Sequence, residues 1–158
     1  MPNYRKASYT GDSVTLKNGL MEVVLYKRLS GWGFAELFDA RGRLLGVLEH
    51  LGELLVRDQE LPMRLEAQDY LLRTEENGDQ TLVFSVSSMN VQKKLDGTSF
   101  SNWMHYPFTE ECLTGTVTLT LCKDRPILQL RHELEAKQNM YVKYLRGPWL
   151  KIGEGAFG

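Results

Sequence analysis

Apolar and polar residues alternate at every second position through most of this chain, which is the mark of half-buried strands. The cleanest run is Cys112 to Cys122, where Val117, Leu119 and Leu121 share one side and Thr116, Thr118 and Thr120 the other. A turn at Lys123-Asp-Arg-Pro126 leads into Ile127 to Ala136, with Leu128, Leu130, His132 and Leu134 facing inward and Gln129, Arg131, Glu133 and Glu135 outward. Nearer the start, Val14 and Leu16 alternate, Leu20 to Tyr26 reads as a strand, and Asn18-Gly19 between them is a strong hairpin signal. Ser30-Gly-Trp-Gly33 reads as a break before a strand from Phe34 to Asp39. Ala40-Arg-Gly42 then turns the chain into Leu44 to Leu48. Met63 to Arg73 alternates without interruption, and the turn Glu75-Glu-Asn-Gly-Asp79 joins it to Thr81 to Ser87. These two are expected to form a hairpin of long strands. The final strand expected is Met140 to Leu145, ending at Gly147-Pro148.

Leu45 to Val56 is ambiguous, because Leu48, Leu51 and Leu55 have helical spacing. Gly46 and Gly52 count against a helix, so two short strands and a turn are expected. Nothing else carries a helical signature of about a dozen residues, and there are no repeats. The longest stretch without periodicity, 88–111, reads as a loop of the kind that often carries function. The expected fold is an all-β antiparallel β-sandwich of two sheets and about ten strands, with little or no helix.

Composition narrows this picture only a little. A chain of 158 residues suits a single domain with its own core. A formal net charge of -1 excludes a strongly basic nucleic-acid binder and an acidic disordered tail. No stretch approaches the ~20 apolar residues of a membrane span, and MPNYRKASYTGD has no signal-peptide pattern. Cys112 and Cys122 are the only cysteines, and on one straight strand they would lie about 33 Å apart, so no disulfide is expected between them. These features slightly favour the cytoplasm. Gly153-Glu-Gly-Ala-Phe-Gly158 resembles a strand turning into a further element, so the chain is expected to be the N-terminal part of a longer protein.

Candidate chemistry is sparse. The GxGxxG spacing at Gly153, Gly155 and Gly158 resembles a kinase glycine-rich loop, but no βαβ unit or following catalytic segment accompanies it. A tight turn is the better reading. No histidine pair has metal-ligand spacing, no GxSxG is present, and neither a metal nor a cofactor is expected. In the long loop, Trp103, His105 and Tyr106 suit a sugar: aromatic faces meet the C–H face of a pyranose while polar groups take its hydroxyls. Packing of that loop onto the sandwich is the competing reading. His132 fits a core histidine donating to a backbone carbonyl, or a ligand contact if its sheet face is concave. Glu110, beside Glu111, is the one acid–base candidate near the aromatics. His50 is expected at the surface. Trp32, between two glycines, is expected either in the core or as a platform at the rim.

The run Leu16 to Leu25, the segment Gly31-Trp-Gly-Phe-Ala-Glu-Leu-Phe-Asp39, the turn Arg41-Gly-Arg-Leu-Leu-Gly46 and the strand Arg125 to Leu134 resemble the opening half of a galactose-mutarotase-like β-supersandwich. The likeness is one of pattern and covers most of residues 14–145. It implies a carbohydrate context, since this fold also serves as an N-terminal or accessory domain of glycoside hydrolases and polysaccharide lyases. Mutarotases hold sugar with two histidines and a glutamate, and no spacing here identifies His105 and His132 with that pair. The resulting expectation is a non-catalytic domain that braces a downstream catalytic domain and contacts glycan, with neither nucleic acid nor membrane as partner. A small sugar-modifying enzyme using His105, His132 and Glu110 is one alternative, and a protein–protein interaction module is another.

Overall fold

The computed structural model describes residues 9–28, 31–56, 63–65, 67–87, 113–137, 139, 141–148 and 150–152. They form an all-β, antiparallel structure with no helix among the described residues. The strands are β1 (Tyr9–Lys17), β2 (Met21–Arg28), β3 (Gly31–Asp39), β4 (Leu44–Leu48), β5 (Glu53–Val56) and β6 (Met63–Arg64). They continue with β7 (Tyr70–Thr74), β8 (Gln80–Ser87), β9 (Leu113–Leu121), β10 (Leu128–Ala136), β11 (Val142–Arg146) and β12 (Leu150–Ile152). Three sheets result, in the orders β1-β2-β3-β4-β12, β10-β9-β8-β7 and β11-β5-β6.

The alternating runs fold as their pattern dictates. Along β9, Leu113, Val117, Leu119 and Leu121 are buried, and along β10 every second residue is half-covered while its neighbours are exposed. The turns follow from their chemistry. Gly42 sits at φ 78° and donates to the Asp39 carbonyl, while Gly78, at φ 91°, donates to the Glu75 carbonyl. Both are backbone conformations that glycine adopts without steric cost. Leu45 to Val56 forms β4, a turn and β5, as its glycines suggest.

Leu16, Val23 and Leu25 of the five-stranded sheet and Leu82, Phe84, Val117 and Leu119 of the four-stranded sheet are fully buried in one sandwich-like core. Leu51, Leu54 and Leu65, at the third sheet, close its end. Each such side chain contributes about 1.5–3 kcal/mol of transfer free energy. Asn18 ties the sheets together at the other end. Its Oδ1 accepts from the backbone N–H groups of Leu20 and Met21 at 2.8 and 2.9 Å, which fixes the β1–β2 turn. Its Nδ2 donates to the carbonyls of Cys122 and Arg125 at 2.6 and 2.8 Å, in the β9–β10 turn.

The structure differs from the sequence expectation in four places. There are twelve described strands in three sheets rather than about ten in two. Met63 to Arg73 is not one strand: β6 pairs with β5, and only Tyr70–Thr74 pairs with β8. The chain leaves one sheet for another at Gln68-Asp69, and alternation carries no information about which neighbour a strand chooses. Gly31 to Gly33, expected as a break, belongs to β3. The short β12 has too few residues to show a period.

Candidate functional site

A cleft of about 340 Å³ opens at the end of the sandwich where β1, β2, β3 and the entry to β7 converge. Its back wall is Trp32 and its exposed aromatic is Tyr70. Local sequence sets both. Gly31, at φ 132°, lets the backbone press against Ala67 and Gln68: a Cβ there would stand 2.5 Å from the Ala67 carbonyl oxygen. This close approach permits the paired bonds from Trp32 N–H to the Ala67 carbonyl, 2.7 Å, and from Ala67 N–H to the Trp32 carbonyl, 3.0 Å. The indole is then 5% exposed and meets Tyr70 in a T-shaped pair, with centroids 5.0 Å apart and planes at 83°. Tyr70 also lies 6.3 Å from the Phe84 ring, yet keeps 39% of its surface in solvent. Such edge contacts contribute about 0.5–1.5 kcal/mol beyond area burial and fix the ring plane.

Around this aromatic pair the lining is polar. Asp12 lies within the irregular start of β1 and Ser13 at its end, and Lys27 stands opposite Trp32 across the β2–β3 ladder. Gln68 and Asp69 precede Tyr70. Asp12, Lys27 and Gln68 are each already held by an interaction within the protein. The cleft therefore combines a fixed tyrosine face with carboxylate acceptors, an amide, a hydroxyl and an ammonium group. Among the described residues no cluster of histidine, cysteine and carboxylate side chains could hold a metal.

A second polar group is buried and structural. Glu49, His50 and Glu53, three of the four buried polar residues among those described, fall within five positions of the β4–β5 connection. His50 Nε2 lies 3.5 Å from Glu53 Oε1, and Lys151 of β12 lies 3.0 Å from Glu49. His132 Nε2 approaches the Leu51 carbonyl oxygen at 2.6 Å, and since a carbonyl only accepts, Nε2 carries the proton. Gly52, at φ 156°, is pressed between His132 Nε2 and the Arg146 carbonyl, where a Cβ would meet them at 3.1 and 3.0 Å. These contacts fasten the third sheet to β10.

The expected site residues fare unevenly. Trp103, His105, Tyr106 and Glu110 lie outside the described residues, as do the rest of 88–112, Trp149 and the glycines of 153–158. His132 is half-covered, spends Nε2 on Leu51 and does not line the cleft. His50 corrects the expectation of a surface residue: it is 1% exposed, because the Leu51-Gly52 turn folds its ring inward against Glu53. Trp32 is buried, and Tyr70 is the aromatic that reaches solvent. Cys122 is a buried free thiol. Apart from Trp32, the cleft residues escaped sequence reading because the lining comes from four separate segments.

Comparison of the chain with protein-family models, with curated proteins and with solved structures finds no match in any of the three.

Proposed function

We propose that this chain is a non-catalytic β-sandwich domain of the carbohydrate-active type that contacts glycan through the Tyr70 cleft. The observation that carries the reading is the half-exposed Tyr70 ring, fixed edge-on by Trp32 and bordered by Asp12, Gln68 and Asp69. A pyranose offers an apolar C–H face for an aromatic ring and hydroxyls at its rim for carboxylates and amides. The sequence resemblance to accessory domains of glycoside hydrolases and polysaccharide lyases points the same way.

Catalysis at the cleft is not favoured. Of the residues of the enzymatic alternative, His105 and Glu110 lie outside the described residues, and His132 does not line this cleft and holds the Leu51 carbonyl through Nε2. Titration calorimetry against a panel of neutral, amino and acidic oligosaccharides tests the reading. Binding of a member of the panel, weakened about tenfold or more by Tyr70→Ala, is the expected result, equivalent to the loss of roughly 1.4 kcal/mol. No binding across the panel, or equal binding by Tyr70→Ala, overturns it.

A further inference from the structure

We propose that the Tyr70 cleft selects a sugar residue that carries a free amino group, with Asp69 as the residue that sets this preference. The preference rests on the glycan-binding reading of the cleft and names the class of sugar it takes. Its basis is which polar side chains of the lining remain available to a ligand. Asp12, Lys27 and Gln68 are each held by an interaction within the protein. The side chains of Ser13 and Asp69 bond to nothing among the described residues, and both are exposed. An entering ligand therefore meets one uncommitted charge, and that charge is negative.

Local structure puts this carboxylate on the same cleft as the aromatic ring. Successive residues within a strand point to opposite faces. Asp69, however, precedes β7 and follows the bend at Gln68, where the chain passes from one sheet to another. Asp69 and Tyr70 consequently line one cleft. Trp32 and Phe84 hold the Tyr70 ring in place, with centroids 5.0 and 6.3 Å away.

A protonated amine is the group that uses both features. A hydrogen bond from an ammonium to a carboxylate is about twice as strong as one between neutral groups. A tyrosine ring also attracts a cation within about 6 Å of its centroid. An amino sugar keeps its C–H face for the ring and its remaining hydroxyls for Ser13. Other sugars match less well. A neutral or N-acetylated residue brings no charge to Asp69. A uronic acid meets two carboxylates, Asp12 and Asp69, while Lys27, the one ammonium of the lining among the described residues, is already engaged. Like charges brought together in this way disfavour binding.

The test is titration calorimetry of the 158-residue chain with three oligosaccharides of equal length and linkage, built from glucosamine, N-acetylglucosamine and glucose. The pH is set below the titration of the sugar amine and above the carboxylate range. The glucosamine oligosaccharide is expected to bind about fivefold or more tightly than the other two, the size of a good exposed ion pair. Asp69→Asn keeps the side-chain shape, removes the charge and is expected to abolish that preference while changing the glucose affinity less than about twofold. Raised salt is expected to narrow the preference in the parent. Asp124→Asn, in the β9–β10 turn at the opposite end of the sandwich, removes the same charge far from the cleft and is expected to leave the preference intact. Near-ultraviolet circular dichroism matching the parent establishes that each variant is folded, and Asp69→Ser replaces Asp69→Asn if it is not. Equal affinity for the three sugars, tighter binding of an uncharged one, or an amine preference that survives the loss of Asp69 overturns the selection. In those cases glycan binding stands as long as Tyr70→Ala still weakens it. No binding of any sugar overturns the glycan reading and the selection with it.

Discussion

Replacing Gly31 by alanine tests how the Tyr70 cleft is built. Gly31 sits at φ 132°, and a Cβ there would stand 2.5 Å from the Ala67 carbonyl oxygen and 3.2 Å from its carbon. Backbone of this kind costs a non-glycine residue about 1–3 kcal/mol. The steric conflict adds to that, because Ala67 must retreat and the two Trp32–Ala67 bonds at 2.7 and 3.0 Å are lost. At about 1 kcal/mol net for each bond, the extra cost is about 2 kcal/mol. Gly19 supplies the control: it also has a positive φ, 82°, but nothing lies within 4 Å of its would-be Cβ. Gly19→Ala therefore carries the conformational cost alone. In a domain of this size 1 kcal/mol moves Tm by about 2–4 °C, so Gly31→Ala is expected to melt about 4–8 °C below Gly19→Ala. Calorimetry or a circular dichroism melt reads the difference. Equal melting temperatures would refute the close-approach argument, and with it the account of how Tyr70 is positioned.

Asn18→Ala removes two turn-fixing acceptor bonds and the two donor bonds to Cys122 and Arg125, so a loss of about 2–4 kcal/mol is expected in urea unfolding. An effect no larger than a surface substitution would mean that the tie between the sheets is not formed in solution. His132→Phe keeps the ring volume but leaves the Leu51 carbonyl without its donor, for an expected loss of about 1–3 kcal/mol; unchanged stability would contradict the bond. Asp39 is held below the ordinary carboxylate range, chiefly by the Arg43 backbone N–H and further by the Arg43 side chain and the Arg41 N–H. A depressed folded-state pKa contributes stability that is present above the unfolded value and is lost as pH falls through the folded one. Asp39→Asn is accordingly expected to narrow its stability gap to the parent as the solution is acidified below the carboxylate range, and a gap that is constant with pH would count against it.

The sequence yields the sandwich readily wherever both neighbours of a strand are local. In β9 and β10 the period of two, the turn at 123–126 and the buried leucines all agree, and the pairing Leu128↔Leu121 through Ala136↔Leu113 follows without a break. Where a partner is distant, alternation loses its power. Leu65 and Ala67 belong to the alternating run and are fully buried, yet they bond to Gly52 and Trp32 instead of continuing the β7–β8 hairpin. His50 illustrates the same limit for polar residues. A histidine on a glycine-flanked connection reads as exposed, yet its ring is buried and lies against Glu53 three residues on. The cleft is harder still, because Asp12, Lys27, Trp32 and Tyr70 have no common spacing. Tertiary pairing creates the site, and no local motif announces it.

The most direct measurement is an amide chemical-shift titration of the isotopically labelled chain with the best-bound oligosaccharide from the calorimetric panel. The account predicts saturable shifts concentrated at Asp12, Ser13, Lys27, Gln68, Asp69 and Tyr70 and abolished by Tyr70→Ala. Shifts centred elsewhere on the sandwich, or identical shifts in Tyr70→Ala, would contradict it.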